Sequence, residues 1–321
     1  MPKTLTTSSS QFAALAIGSD TRRMGATGSL RLLVVYKKSQ LMLYREHQPE
    51  TLTEISEREP ELLTKFIEAH EENSQAIRNI RTEIESRGLD ATFRYRASHQ
   101  RPDRYDLVIS VGGDGTLLDV AHHVLDAHLL GVNSSKNSIG HFCATKASQF
   151  GEFIEQYLQG DVPIVQLTRL QAHVNGKTRD VPVLNEALLA HVDPGGVSRY
   201  VIRIDGQAEE HKSSGVWMST AAGSSGAIRS AGGTLMDAGD TRIQYLVREP
   251  YRWGGLPFTL SHGFVRSEVE CLCKTRTAAL FLDGHRVKLP LSLGDRIRIS
   301  RHPHPLNIVG YDRQHPSSEE D

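Results

Sequence analysis

The residues most suited to chemistry lie in Val108-Ile109-Ser110-Val111-Gly112-Gly113-Asp114-Gly115-Thr116. An apolar run enters three glycines and then a helical pattern. At such a switch the backbone can approach a ligand closely, and the free N–H groups and dipole of the helix suit phosphate oxygens. A bare glycine pair is equally well a tight strand-to-helix turn. Asp114 changes the balance, because a carboxylate in a phosphate cradle repels the ligand unless it binds a metal ion or takes a proton. The arrangement points to phosphoryl transfer, with Asp114 serving a hydroxyl acceptor or Mg²⁺. Gly112, Gly113, Gly115 and Thr116 are the expected phosphate neighbours. The chain has neither Gly-x-x-x-x-Gly-Lys-Ser/Thr nor a Gly-x-Gly-x-x-Gly after its first strand, which disfavours Walker-type NTPases and ordinary dinucleotide-binding dehydrogenases.

Two other stretches are weaker when read alone. Ser219-Thr220-Ala221-Ala222-Gly223-Ser224-Ser225-Gly226-Ala227, continuing to Ser230-Ala231-Gly232-Gly233, offers hydroxyls and close backbone approach, but a linker between strands looks similar. Asn185-Glu186 ends the apolar run Val181 to Leu184 and reads equally as a solvated turn. Arg229 either neutralises phosphate charge or is a surface arginine. Of the 15 histidines, His122 and His123 diverge by about 100° on a helix and cannot easily share an ion. His302 and His304 lack further ligands at zinc spacing, so no metal site by direct protein ligation is expected. Cys271-Leu272-Cys273 reads as packed thiols, and three cysteines do not make a disulfide framework.

The elements that must hold these groups change character along the chain. Residues 1–28, rich in Ser, Thr and Gly, form an expected disordered lead-in; with Arg22 and Arg23 and few acids they also fit a transit peptide. From 29 to 160 the pattern is α/β. Leu32 to Tyr36, Ala91 to Ala97, Leu107 to Val111 and Leu129 to Asn133 read as strands. Helices are expected over 61–88, over about 116–128 and around Phe150 to Leu158. Alternation of this kind implies a parallel sheet covered on both faces. From 161 to 310 short alternating runs are separated by turn signals such as Asn175-Gly176 and Asp283-Gly284, the signature of an all-β sandwich. Residues 311–321 read as a polar tail. The chain carries 37 basic and 38 acidic side chains, a formal net charge of −1, which argues against nucleic-acid binding through bulk positive charge. No run approaches the roughly 20 apolar residues of a membrane helix.

Together the stretches resemble the NAD kinase family. Gly-Gly-Asp-Gly-Thr, the Asn-Glu pair and Ser-Thr-x-x-Gly-Ser occur in the family's order. Phe281-Leu282-Asp283-Gly284, Leu293-Gly294-Asp295-Arg296-Ile297 and His304-Pro305-Leu306 follow. Gly131-Val132-Asn133, Gly140-His141 and Lys212-Ser213-Ser214-Gly215 look most like the mitochondrial branch. The resemblance implies a Rossmann-like α/β N-terminal domain, a β-sandwich C-terminal domain and a site between them. It implies transfer of the ATP γ-phosphoryl group to the 2′-hydroxyl of the adenosine ribose of NAD, with Mg²⁺ on the donor and Asp114 as general base. Asn133, His141, Asn185, Glu186, Ser214, Thr220, Ser225, Gly226 and Ser230 would then hold NAD. Departures from the common pattern are Ser214 in place of an acid, Ala222 in place of Thr, Ala227 in place of Tyr, and His141 or Phe142 at the adenine-packing aromatic. Partners implied are NAD, ATP and a second copy of the chain, a dimer favoured, with no nucleic acid or membrane. The expected compartment is the cytoplasm, with the mitochondrial matrix as alternative. Two rivals stay open: a lipid or sphingoid-base kinase sharing the Gly-Gly-Asp-Gly-Thr loop, and a nucleotide-binding regulatory module without turnover.

Overall fold

Leu32 to Val35 are buried on both faces of their strand, as a central parallel strand requires. A computed structural model describes residues 30–98, 102–136, 138–251 and 258–312, so the lead-in 1–28 and most of the tail lie outside the described residues. The first sheet begins with β1 (Arg31–Tyr36), β2 (Asp90–Tyr95), β3 (Leu107–Gly112), β4 (His128–Asn133), the short β5 (Thr145–Lys146) and β6 (Ile164–Leu167). Helices α1 (Gln40–His47), α2 (Pro49–Arg58) and α3 (Pro60–Ser86) join β1 to β2. The next helices, α4 (Asp114–Ala121) and α5 (Phe150–Gln159), follow β3 and β5.

One sandwich sheet contains β7 (Leu170–Val174), β8 (Lys177–Thr178), β10 (Ser198–Ile204), β11 (Gln207–Ser213), β15 (Glu268–Cys273) and β18 (Arg296–Arg301). The other contains β9 (Glu186–His191), β12 (Gly215–Ser219), β13 (Ile243–Arg248), β14 (His262–Val265), β16 (Ala278–Leu282) and β17 (Val287–Leu291). Both are antiparallel, and their inner faces share one core that includes Leu189, Tyr200, Met218, Leu280 and Ile297. A helical turn, α6 (Ala227–Ser230), is the only α-helix here among the described residues.

The first sheet runs β2-β1-β3-β4-β19-β6, where β19 is Leu306–Val309. Strands β1 to β4 are parallel, β19 adds parallel to β4, and β6 closes the edge antiparallel. Two strands expected within the sandwich segment thus belong to the first sheet. Leu306, Ile308 and Val309 are completely buried there, which accounts for the return of the chain. One helix run leads left from β1 to β2 and another right from β3 to β4. The strand order therefore reverses between β1 and β3, and ligands of such sheets bind at the carboxyl ends beside that point.

Helix α3 matches its expected span, with Ala76, Ile80 and Ile84 on its buried face and Gly88 just beyond at φ 64°. The preceding α1 and α2 were not expected. Their signals are Ser39, whose hydroxyl caps Met42 N–H, and Pro49 and Pro60 at first helical positions. Helix α4 is shorter than expected, ending at Ala121 rather than near His128. The cause is Arg169, a completely buried side chain whose guanidinium donates to the carbonyls of Ala121, Val124, His304 and Pro305. It closes the helix and ties it to the segment leading into β19. Arg169→Met would leave these acceptors buried without donors. It should lower the unfolding free energy by about 3 kcal/mol, read from urea denaturation of the two proteins.

Candidate active site

The Gly-Gly-Asp-Gly-Thr turn joins β3 to α4 at the carboxyl edge of the first sheet. Two of its glycines are there for space. A Cβ on Gly112 would fall 2.3 Å from Thr116 Oγ1, and one on Gly113 would fall 2.4 Å from Ser138 Oγ. Gly115 faces open space. Thr116 is buried, packs on Gly112 and supports the turn from inside.

Asp114 is the first residue of α4, and its carboxylate accepts from the backbone N–H groups of His141 (3.0 Å) and Phe142 (2.8 Å). Two fixed donors set the orientation of that carboxylate. Asn133, at the end of β4, holds the connecting loop: its Nδ2 donates to Ser138 O and its Oδ1 accepts from Ser135 N–H. Its amide therefore shapes the loop that carries His141. Phe142 is buried and stacked on Tyr311, whereas the His141 ring stands half-exposed at the crevice. His141, not Phe142, is thus the ring available to a ligand. Tyr311, assigned to a polar tail by sequence, is nearly buried against both rings.

His141 also joins the two glycine-rich stretches, since its Nε2 lies 3.3 Å from both Ser225 Oγ and Tyr311 Oη. Ser225 and Ser230 are exposed, with Gly226 between them at the start of α6. Thr220 behaves differently. It is fully buried, donates to Leu184 O at 2.5 Å and accepts from Gly223 N–H, so it builds the loop rather than facing a ligand. Ala222 is buried in the core beneath the first sheet, and Ala227 is exposed at the start of α6. Gly223 is obligatory, because a Cβ there would stand 2.3 Å from Asn185 O. Arg229 is exposed and donates to Gly233 O, bracing its own loop.

The Asn-Glu pair is placed by a residue that sequence reasoning quoted only as part of a motif. Asp283, at φ 47° in the β16–β17 hairpin, has a completely buried carboxylate. It accepts from the N–H groups of Leu184 (2.8 Å), Asn185 (2.7 Å) and Glu186 (3.2 Å), and lies 2.9 Å from His122 Nε2 at the end of α4. Nearby, Arg286 pairs with Asp119 of α4 and donates to Gly115 O. The hairpin therefore reaches across to the phosphate-turn helix twice. Among the described residues, Asn185 Oδ1 and Glu186 Oε2 are buried with no hydrogen-bond partner. Such acceptors are costly in a finished structure and suit a ligand. Glu186 Oε2 also lies beside the second stretch, 3.6 Å from where a Gly226 Cβ would stand.

Ser214 is not brought to this place. It precedes β12 while Thr220 follows it, so six residue steps of extended chain, about 20 Å, separate the two. The free cysteines have different surroundings. Burial, and then the Asp114 carboxylate, push the Cys143 thiol up to about 12, so it stays protonated beside the turn. Among the described residues no group of three or more His, Cys, Asp or Glu could hold a metal ion, and no helix is long and apolar enough to cross a membrane.

Burial, reinforced by Asp283, raises the Glu186 carboxyl to about 8. A carboxyl whose folded pKa is raised binds its proton more tightly when folded. Its contribution to stability is present below the unfolded value near 4.5 and is lost as pH rises through about 8. Glu186→Gln should therefore flatten the fall in stability between pH 5 and pH 8, measured by urea unfolding across that range. Asp283→Ala should go further, lowering the melting temperature and weakening any ligand held by the Asn-Glu pair by tenfold or more.

Comparison with known proteins bears on this geometry. The family model for the ATP-NAD kinase N-terminal domain matches residues 39–162. The chain is 32% identical over 229 residues to a probable NADH kinase of Oryza sativa subsp. japonica, covering 64% of this chain and 70% of that one. It is 29% identical over 211 residues to an NAD kinase of Pyrococcus abyssi, covering 65% and 74%. In fold it is similar to the NAD kinase of Archaeoglobus fulgidus solved with ATP, at TM-score 0.60 and 18% identity over 89% of this chain and 94% of that one. It is also similar to yeast NADH kinase solved with NADH, at TM-score 0.62 and 17% identity over 89% and 85%. With relatives above 30% identity and more than two thirds of their length spanned, the chain belongs to the NAD kinase family.

Proposed function

We propose that this chain is an ATP-dependent NAD kinase: it transfers the γ-phosphoryl group of ATP to the 2′-hydroxyl of the adenosine ribose of NAD, giving NADP. The observation that carries the reading is the junction at His141. Its backbone N–H holds Asp114, and its ring reaches Ser225 of the second glycine-rich stretch. Donor-phosphate and acceptor sides thereby meet at one carboxylate. The ring of His141, the hydroxyls of Ser225 and Ser230, and the unpartnered oxygens of Asn185 and Glu186 then form the dinucleotide side.

Asp114 accepts the proton of the ribose hydroxyl as the phosphorus–oxygen bond forms, and its two backbone donors keep it aimed at that hydroxyl. The phosphoryl group leaves ADP with the bonding electrons on the β-phosphate oxygen. Little covalent work is asked of the protein in such transfers, so orientation and charge carry the rate. Mg²⁺ fits this site as an ion borne by the nucleotide: it keeps waters and substrate phosphates as ligands, which leaves the Asp114 carboxylate to the hydroxyl. When bound it would neutralise phosphate charge.

The rival lipid-kinase and regulatory readings lose ground to the family assignment. Supporting a homodimer is the distance of Ser214 from the rest of its expected site, which a second copy could shorten. Free thiols at Cys143, Cys271 and Cys273 support a reducing compartment such as the cytoplasm.

Purified protein supplied with ATP, Mg²⁺ and either NAD or NADH should form the phosphorylated dinucleotide, read by a coupled dehydrogenase. Asp114→Asn should lose about 10²–10⁴-fold in kcat while NAD still binds. Unchanged turnover in the mutant would remove Asp114 from the role of base.

A further inference from the structure

The Gly-Gly-Asp-Gly-Thr turn contributes backbone donors and a carboxylate but no cation, and the chain has no P-loop lysine. A donor triphosphate carries more negative charge than one Mg²⁺ offsets, so a positive side chain beside the turn would strengthen its binding. The carboxyl end of β1 supplies a candidate. Lys37 follows β1 directly, its backbone N–H donates to Val111 O, and it therefore stands beside the last residues of β3 at the reversal of strand order. Its backbone is fixed by Asn73 of α3, a buried side chain that donates to Lys37 O and accepts from Ser134 Oγ after β4. One asparagine thus stitches the strand ends on both sides of the turn.

The Lys37 side chain is half-buried, and its charge interacts with Arg96 after β2 and with the Cys143 thiol, itself within the field of Asp114. Among the described residues no carboxylate pairs with it. Its neighbours behave otherwise: Lys38 pairs with Glu46, while Arg96 and Arg286 share Asp119. Burial, and then repulsion from Arg96, oppose the Lys37 charge, and a bound polyanion offsets both.

We propose that Lys37 grips the phosphate chain of the donor nucleotide and is a donor-binding residue of this enzyme. The inference rests on the kinase reading above but names a contact that reading does not need. Lys37 does the work of a P-loop lysine from a different strand, with Asn73 setting where its stem begins.

The test compares full-length wild type, Lys37→Met and Lys37→Arg. Calorimetry would measure the Mg²⁺ complex of adenylyl-imidodiphosphate and, separately, adenosine, which has no phosphates. In Lys37→Met the triphosphate analogue should bind 10- to 100-fold more weakly, with adenosine and NAD affinities unchanged and most of the loss restored in Lys37→Arg. In turnover the KM for ATP should rise by a similar factor while the KM for NAD stays within twofold. Equal affinity of Lys37→Met and wild type for the analogue overturns the inference, as does an equal loss of adenosine affinity. If Lys37→Met melts early, Lys37→Gln takes its place under the same criteria. Wild type that binds the analogue yet forms no NADP would instead sink the kinase reading, leaving the affinity ratio to judge Lys37 on its own.

Discussion

A single buried carboxylate holds the two halves of this protein in register. Asp283 sits in a hairpin of the sandwich, is sealed from water, and takes donors from three successive backbone amides and one histidine. A buried charge is tolerable only when so surrounded, and the arrangement works in both directions. The amides are those of Leu184, Asn185 and Glu186, so the Asn-Glu side of the cleft is fixed by it. The histidine closes α4, so the phosphate side is fixed as well. Asp283 can satisfy its own charge only if the cleft has its working shape.

Around that hub the site is assembled from residues of contrasting exposure. The groups that shape it are buried and internally bonded: Asn133, Thr220 and Arg169 all direct their polar atoms at backbone, and Thr116 packs on Gly112. The groups left for chemistry are a carboxylate aimed by two amides, a half-exposed imidazole, exposed serines, and two oxygens with nothing to bond. This division is physical. A loop of small residues has little side-chain bulk to pack, so its shape must come from hydrogen bonds that close on the backbone. The space left by missing Cβ atoms at Gly112, Gly113 and Gly223 is taken by Thr116, by Ser138 and by the Asn185 backbone.

Much of this was legible in advance. Apolar strands ending in glycines marked the phosphate turn, and the change from α/β alternation to short strands marked the second architecture. These signals are local, and local signals survive in a sequence. What escaped was long-range. Nothing near Arg169 says that it will cap a helix almost fifty residues earlier, so the local pattern alone extends α4 too far. Leu306 to Val309 falls within the segment read as sandwich, and nothing in its apolar content tells which sheet it joins. Tyr311 looked like tail for want of a visible partner, and the partner is Phe142. Thr220 has the composition of a ligand contact and the bonding of a scaffold, a difference that only geometry can express.

The place of β19 carries a consequence for how the chain is made. Synthesis delivers β1 to β6 early, but the strand that separates β4 from β6 emerges only after the whole sandwich. Until then the first half of β4, at His128 and Leu129, lacks the partner that β19 gives it, β5 pairing only its far end, and α4 lacks the Pro305 and His304 anchors that Arg169 also grips. Vectorial folding from the ribosome therefore cannot finish this protein from its N-terminus. β19 is a keystone, and the helix behind the phosphate turn gains its last anchors only after the chain returns to the first sheet.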